Sequence, residues 1–192
     1  ALGRHQEAVN RLQKLLRESP EDLDLMLAMA WSQGRSGNME EARRWLDRAW
    51  RQSSGEAAPR NPDRCALLAG RLELLDGNVA DARDWLDRVD DVGSAGRDYV
   101  SLLAEIYRRN KEWAGGVSAM VRTAPLLEAG DRFLAEAAEA EFRFRLDDPR
   151  AWDRLRPLLD SDRLAEVLTG LQVLQTAERW RDVQREAVAA SV

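Results

Sequence analysis

We predict an all-α fold built from paired helices, and two observations lead to it. Helix-favouring residues, chiefly Ala, Leu, Arg and Glu, fill most of the 192 residues, whereas the chain has one isoleucine and two tyrosines. A twelve-residue segment also recurs, since Gly37–Arg48 and Gly77–Arg88 are identical at eight of twelve positions. Recurrence of a segment rich in helix formers is typical of stacked helical units.

Small residues recur at a fixed spacing around this segment. Ala8 precedes Ala42 by 34 residues, and Gly116 follows Ala82 by 34 residues. Another small residue stands twelve positions before each of the last three. Because small side chains let two helices approach closely, we expect these residues to meet where the helices of one unit cross. The expected pairs are Ala30 with Ala42, Gly70 with Ala82, and Ala104 with Gly116.

This period and these residue types resemble the tetratricopeptide repeat family, whose signature is W-x2-L-G-x2-Y, then A-x3-F, then P. Ala8, Leu12 and Pro20 match its second helix, with Leu in place of Phe. The first helix is matched at Val100, Leu103, Ala104 and Tyr107. The resemblance implies a right-handed α-solenoid of antiparallel helix pairs with about five and a half repeats.

The turn motifs divide the chain into one solenoid domain over residues 1–192. Gly37 and Gly77, each followed by Asn, predict tight turns with a positive φ, and the turn of the leading half repeat is expected around Gly3 and His5. The expected divisions are a half repeat at 1–20, regular repeats at 21–54, 61–94 and 97–130, a degenerate repeat at 131–161 and a last repeat at 162–192. Because the half repeat lacks a first helix, we expect the sequence to be a fragment of a longer protein. Only Lys14 and Lys111 are lysines among the many arginines, a bias that favours a bacterial source.

The later repeats depart from the pattern. Pro157 removes a backbone hydrogen bond, so we expect a kinked or shortened second helix around it. The last repeat is predicted as two helices, Leu164–Thr176 and Glu178–Ala190, although it has no small residue at the expected crossing. The residues around 52–62, where six extra residues separate two repeats, are expected to form a surface loop.

The sequence lacks the usual equipment for catalysis, and we expect no enzyme, no cofactor and no metal. His5 is the single histidine and Cys65 the single cysteine, so multi-histidine zinc sites, Ser/His/Asp triads and intrachain disulfides are not expected. A net charge of -5 argues against nucleic acid as a partner. No apolar run reaches the roughly 20 residues that cross a membrane. Four of the seven tryptophans stand where repeat packing explains them, and Trp31 stands apart.

In the family, first helices line the concave face of the solenoid, and the resemblance therefore implies a partner-binding surface there. The implied residues are Asp24, Leu27, Trp31, Arg35, Arg64, Leu67, Arg71, Leu75, Asp98, Ser101, Glu105, Arg108, Arg109, Arg132, Glu139 and Arg143, with Ala135, Leu168, Gln172 and Thr176 at equivalent offsets. Seven arginines and four acids among the first sixteen predict a basic groove for an acidic partner segment with an apolar anchor. The alternative is that these arginines are solvated or paired with acids of the groove itself.

The function that follows is a non-enzymatic scaffold that binds a protein or peptide on its concave face. We expect it to work in a bacterial envelope or secretion assembly, such as exopolysaccharide export, on the periplasmic or cytoplasmic face. The alternative is a regulatory solenoid that binds a peptide signal and controls an attached effector domain. Carbohydrate binding at Trp31 is a further, weaker possibility.

Overall fold

The computed structural model describes the backbone of residues 2–53 and 62–189, and the side chains of residues 7–53, 62–178 and 181. This part of the chain contains helices and no strand, which confirms the all-α prediction. The helices are α1 (Leu2–Glu18), α2 (Leu23–Arg35), α3 (Met39–Ser53), α4 (Pro62–Asp76), α5 (Val79–Leu86), α6 (Val92–Asn110), α7 (Trp113–Thr123), α8 (Arg132–Arg145), α9 (Ala151–Leu159) and α10 (Leu164–Ala189), with a 3-10 turn at Ala124–Leu126. They form two compact units, Ala1–Asp91 and Val92–Val192.

The first unit contains α1 to α5. Helix α2 packs against α3 and α4 against α5, while α1 covers α2 and α3 contacts α4. Met26, Met29 and Leu72 are fully buried in its core, together with Ala30 and Ala42. Consecutive helix pairs therefore share one continuous apolar layer, as in a helical solenoid.

Four turns between paired helices share one backbone geometry. Gly37 and Gly77 have φ of 85° and 90°, and Lys111 and Asp147 have φ of 55° and 53°. In each turn the residue after this left-handed position donates its backbone N–H to the carbonyl five residues earlier, as in Asn38 to Gln33 at 2.9 Å. This is the hydrogen bond of a Schellman cap, which ends a helix and satisfies its last carbonyls. The Gly-Asn turns were predicted, whereas the other two use residues that disfavour positive φ.

The N-terminal turn prediction is wrong. Helix α1 begins at Leu2, so Gly3 and His5 lie inside a helix instead of a turn. The segment after Gly3 contains good helix formers, and a glycine within the first turn of a helix interrupts few hydrogen bonds. The His5 side chain lies outside the described residues, as do the residues of the expected surface loop from 54 to 61.

The second unit contains α6 to α10, and α6 has a kink near its start. Gly96 has φ 20° and ψ -100°, outside the helical region. Its Cα lies against the Asp131 side chain at the start of α8, so a side chain at residue 96 would meet that carboxylate. Phe142 of α8 is fully buried and contacts Tyr107 and Trp113 edge-on or at a tilt.

Gly116 makes room for an aromatic ring that the sequence prediction did not name. A Cβ on Gly116 would lie 2.6 Å from the Phe142 ring, so a residue of the next helix pair limits its size. Ala104, the predicted partner, is also buried. The small residue at 116 therefore serves the packing of the neighbouring helix pair.

The predicted last repeat is wrong as a helix pair, because α10 runs without a break from Leu164 to Ala189. Its second half contains no Gly, Pro or Asn, so nothing interrupts the backbone hydrogen bonds between the two predicted helices. Helix α9 is short, nine residues, with Pro157 in its last turns, as predicted. Helix α10 packs against both α8 and α9 and replaces the missing pair.

Candidate protein-binding surfaces

Three first helices of the second unit, α6, α8 and α10, line an open groove of about 470 Å³. Such helices are the ones that the resemblance predicted to form a binding face. The lining residues are Val100, Ser101, Ala104 and Arg108 from α6, Leu134, Ala137, Ala138, Glu141 and Arg145 from α8, and Thr169, Gln172, Val173 and Thr176 from α10.

The groove has an apolar floor and a polar rim. Ala104, Ala137 and Ala138 are buried and small, which leaves space between α6 and α8. On the rim, the Ser101 hydroxyl donates to the Arg97 carbonyl at 2.7 Å, and two threonines of α10 donate to carbonyls of their own helix in the same way. Because their protons are used within the helix, these hydroxyl oxygens are placed to accept N–H groups of a bound chain.

An ion pair stands at one end of the groove. Arg108 of α6 donates from Nε and Nη2 to the Glu141 carboxylate of α8, at 3.0 and 2.7 Å, while Glu105 lies 3.6 Å away. Burial disfavours the charge of Arg108, but the hydrogen bonds to Glu141 and Glu105, together with the charges of these two carboxylates, outweigh burial and raise the pKa of Arg108. Arg145 adds a second cation, whose guanidinium lies 5.3 Å from the Trp113 ring.

Four predicted positions line this groove, Ser101 and Arg108 on α6 and Gln172 and Thr176 on α10, whereas Asp98, Glu105, Arg109 and Leu168 are not among its lining residues. None of the predicted positions on α8 lines it. Counting 34 residues from α6 gave Arg132, Ala135, Glu139 and Arg143, whereas the lining residues of α8 are Leu134, Ala137, Ala138, Glu141 and Arg145.

The turns are also spaced differently from the family period. The left-handed residues Lys111 and Asp147 are 36 residues apart, two more than that period. Adding 36 instead of 34 to Asp98, Ser101, Glu105 and Arg109 gives Leu134, Ala137, Glu141 and Arg145, which line the groove, although only Ser101 of the four α6 residues lines it. The Asp-Asp-Pro sequence at 147–149 was the available signal, because it marks where the turn falls.

Glu139 and Arg143 belong instead to a buried polar network inside the α8–α9 pair. Glu139, 2% exposed, accepts from Arg143 at 2.7 Å and from Arg154 of α9 at 3.1 Å. Arg143, 8% exposed, also reaches Asp148 in the turn at 2.6 Å. Two charged side chains predicted to face a partner therefore hold one hairpin together.

In the first unit, some of the residues predicted to face a partner are buried in the core and others are exposed. Leu27 and Leu67 are buried in the core, so they do not face a partner. Asp24 of α2 and Arg64 of α4 form an ion pair at 2.5 Å across the predicted face. Trp31 and Leu75 are exposed, 36% and 42% respectively.

The arginines predicted to make a basic groove are largely paired with acids of the protein. Arg64 binds Asp24, Arg109 binds Glu105 at 3.0 Å, and Arg108 binds Glu141. Arg132, which is exposed, donates to the Leu127 carbonyl at 3.3 Å. Intramolecular pairing therefore offsets part of the positive charge that the sequence suggested.

The remaining candidate residues are structural. Trp45 and Trp85 pack against the core of the first unit, as predicted, whereas the Trp180 side chain lies outside the described residues.

Cys65 is buried with its Sγ 3.5 Å from the Ser53 hydroxyl, and burial raises the pKa of its thiol. Within the described ranges, no three His, Cys, Asp or Glu side chains cluster as metal ligands. No described helix is both long and apolar enough to span a bilayer.

Comparison with known proteins gives one match. The family model described as tetratricopeptide repeat matches residues 1–58, a segment that contains α1, the α2–α3 pair and the Gly37 turn. No curated protein and no solved structure matches the chain. Residues 1–58 are therefore similar to the tetratricopeptide repeat family, in agreement with the resemblance drawn from the sequence.

Proposed function

We propose that this protein is a non-enzymatic scaffold and that the groove between α6, α8 and α10 holds an extended segment of a partner protein. Tetratricopeptide repeats are generally interaction modules without catalytic activity, which supports the class of function. The observation that carries the proposal is a groove lined by three first helices, with an apolar floor and a polar rim.

The floor favours an apolar anchor. Alanines at 104, 137 and 138 leave room for one large side chain between α6 and α8, beside Val100 and Val173. A bound side chain there loses water from its apolar surface, which stabilises the complex by about 25 cal/mol for each Å² buried. Serine and threonine oxygens on the rim can then accept N–H groups from the backbone of the segment.

The charges favour an acidic residue near that anchor. Arg108 and Arg145 both line the groove, against the single carboxylate of Glu141. An acid of the partner can bind Arg145 or share the Arg108 guanidinium, which has five N–H donors and gives Glu141 only those of Nε and Nη2. Arg108 and Arg145 thus support the prediction of an acidic partner, although less strongly than the row of seven arginines predicted from the sequence would.

The setting in a bacterial envelope or secretion assembly stays a prediction from the arginine-rich composition and the repeat pattern. The regulatory solenoid is compatible with the same groove, since a peptide signal and a partner segment need the same chemistry. Identification of the bound protein separates the two settings.

A pair of matched variants tests the groove. Ser101→Trp fills it from the rim, whereas Ser118→Trp places the same ring on α7, outside the groove. Both serines are exposed and donate to the carbonyl four residues earlier, so their effects on stability should match. We expect partner capture from a lysate of the source organism, followed by quantitative mass spectrometry, to fall about tenfold with Ser101→Trp and to persist with Ser118→Trp. Equal capture by the two variants would refute binding in this groove.

A further inference from the structure

We propose that α10 is a self-association surface, on which the α10 helices of two copies of the chain pack in antiparallel orientation. The centre of the contact is the leucine stripe, formed by Leu164, Leu168 and Leu171. These residues do not line the groove described above. The proposal therefore goes beyond the binding of a partner segment, and either one can fail while the other holds.

The exposure of the leucine stripe is the first observation. Leu164, Leu168 and Leu171 are 71%, 56% and 50% exposed, and they are three of the four most exposed large apolar residues in the described part of the chain. Their spacing of four and three residues places them within about 60° of each other around the helix. An exposed apolar surface of this kind is typical of a site where another protein surface binds.

Helices α8 and α9 pack on the other side of α10. Val173 and Ala177 belong to the core of the second unit, and a Cβ on the buried Gly170 would lie 3.0 Å from the Leu159 side chain of α9. At about 100° for each residue, Gly170, Val173 and Ala177 lie about 180–240° around the helix from Leu164. The leucine stripe therefore faces away from the core of its own unit.

The leucine stripe belongs to an uncharged surface, although 33% of the chain is charged. Between residues 164 and 177 the exposed residues are Leu164, Ala165, Leu168, Leu171, Gln172 and Gln175. The charged residue of this stretch, Glu166, accepts from Arg163 at 2.5 Å and from Ser161 at 2.7 Å. A charged partner surface would lose its hydration here without gaining an opposite charge, so the surface favours an uncharged, apolar partner.

A second α10 offers the same uncharged surface, so two copies are complementary to each other across a two-fold axis. In the antiparallel register that we propose, Leu168 of one copy lies opposite Leu171 of the other, and the axis repeats this contact. Leu164 then lies opposite Gln175 of the second copy. Each copy thus covers the leucine stripe of the other.

The charges at the two ends of the stripe select the antiparallel orientation. Arg163 precedes the stripe and Glu178 follows it, and both are exposed. In this register Arg163 lies about 3 Å along the helix axis from the position opposite Glu178 of the second copy. The Arg163 guanidinium binds Glu166 through Nη1, and its other N–H groups can bind a second carboxylate. Parallel copies would instead place each charge beside its own equivalent.

The contact from Leu164 to Gln175 spans about 17 Å of helix, so we expect a weak dimer with a dissociation constant of about 10–100 μM. Sedimentation equilibrium of the full chain between about 5 and 500 μM should show the mass rising from one chain towards two. Leu168→Glu brings two carboxylates together near the axis and should raise the dissociation constant at least about thirtyfold. The matched control is Leu126→Glu, because Leu126 is 59% exposed in the 3-10 turn of the same unit.

A pair of cysteine variants tests the orientation and does not depend on the folding of Leu168→Glu. Leu164→Cys and Gln175→Cys should form a disulfide when the two variants are mixed under mild oxidation, because these residues lie opposite each other. Neither variant alone should be cross-linked, since its two equivalent cysteines would be about 16 Å apart along the helix axis. The native Cys65 is buried and does not compete.

Association that is weakened by Leu168→Glu and kept with Leu126→Glu and Ser101→Trp, together with the mixed disulfide, supports the proposal. A chain that stays monomeric at about 500 μM would overturn it and assign the leucine stripe to another partner. Loss of the dimer with Ser101→Trp but not with Leu168→Glu would place the contact in the groove and overturn it as well. Disulfides within each cysteine variant alone would contradict the antiparallel pairing.

Discussion

The two units close their helix pairs with the same backbone hydrogen bonds but with different side chains. In the first unit the left-handed residue is Gly37 or Gly77, and the following Asn donates its side-chain amide to Gln33 or Glu73. In the second unit Lys111 and Asp147 take that position. At the last turn, Arg143 and Asp148 form the side-chain link between the equivalent two positions, with the donor and acceptor reversed.

This difference teaches that the cap geometry, and not the glycine, is what the repeat needs. A Schellman cap requires one residue in the left-handed region, and glycine reaches that region at the least cost. Where the second unit lacks glycine, charged side chains surround the turn, and Asp148 is bound by both Arg143 and Arg150. The turn at Asp147 therefore has ion pairs where the first unit has glycine at the left-handed position.

The largest loss of stability is expected from a substitution that breaks the polar network of the second unit. Arg143→Ala removes a buried partner of Glu139 and the link to Asp148, so we expect a loss of about 3 kcal/mol in the free energy of unfolding. Arg43→Ala in the first unit should cost about 1 kcal/mol, because the Arg43 side chain is 44% exposed in its pairs with Glu73 and Asp76. Urea unfolding followed by circular dichroism measures both, and equal losses would contradict the comparison.

Gly116→Ala should cost about 2 kcal/mol, since the added Cβ would lie 2.6 Å from the buried Phe142 ring. Its neighbour provides the control. Gly115→Ala adds the same methyl group at an exposed position of α7, where the nearest Tyr107 atom is 3.0 Å away. We expect a change within about 0.5 kcal/mol there, because helix propensity offsets the small displacement of Tyr107. Thermal unfolding should therefore separate two adjacent glycines, and similar costs would show that α8 adjusts freely.

Substitutions at the left-handed turn residues should change the stability in opposite directions in the two units. Lys111→Gly should stabilise the protein by about 0.5–1 kcal/mol because it relieves a positive φ of 55°, whereas Gly37→Ala should destabilise it by about 1 kcal/mol at φ 85°. Nothing lies within 4 Å of an added Cβ at Gly37, so the cost there comes from the backbone alone. Chemical denaturation of both variants checks the signs, and a destabilising Lys111→Gly would mean that the Lys111 side chain holds its turn.

The smallest effects are the pH dependences of two carboxyls in the second unit. The Arg150 guanidinium, and then Arg143, hold the pKa of Asp148 below its usual range. Its stabilisation is therefore present above about pH 4 and is lost as the pH falls below that. Burial instead raises the pKa of Glu136, so its charged form weakens the fold at neutral pH.

We expect Asp148→Asn to lose less stability than the parent protein between pH 7 and pH 3. Glu136→Gln should be more stable than the parent at pH 7 and equal to it at pH 3, where Glu136 is protonated in both the folded and the unfolded chain. Urea unfolding at the two pH values measures both changes. Parallel pH profiles for all three proteins would show that these carboxyls contribute nothing specific.

Much of the fold was predictable because it rests on local chemistry. The effect of helix-forming residues, Gly-Asn turns and recurring small residues is exerted on the neighbouring backbone. It can therefore be predicted from residues close in the sequence. The candidate surfaces were predictable only in part. Ser101 and Gln172 were predicted and line the groove, whereas the residues of α8 that line it were not predicted.

The sequence by itself determined that the chain forms paired helices, where the two Gly-Asn turns lie and that Trp31 on α2 stands apart from the packed tryptophans. Tertiary structure alone decided which face of α8 lines the groove, which arginines pair with carboxylates and that α10 continues as one helix. The physical reason is that these features depend on contacts between residues far apart in the sequence. A shift of two residues between Lys111 and Asp147 turns α8 by about 200°, since each residue advances a helix by about 100°. Ion pairs such as Arg108–Glu141 likewise join residues 33 apart, and packing selects the partner among many carboxylates of equal intrinsic affinity.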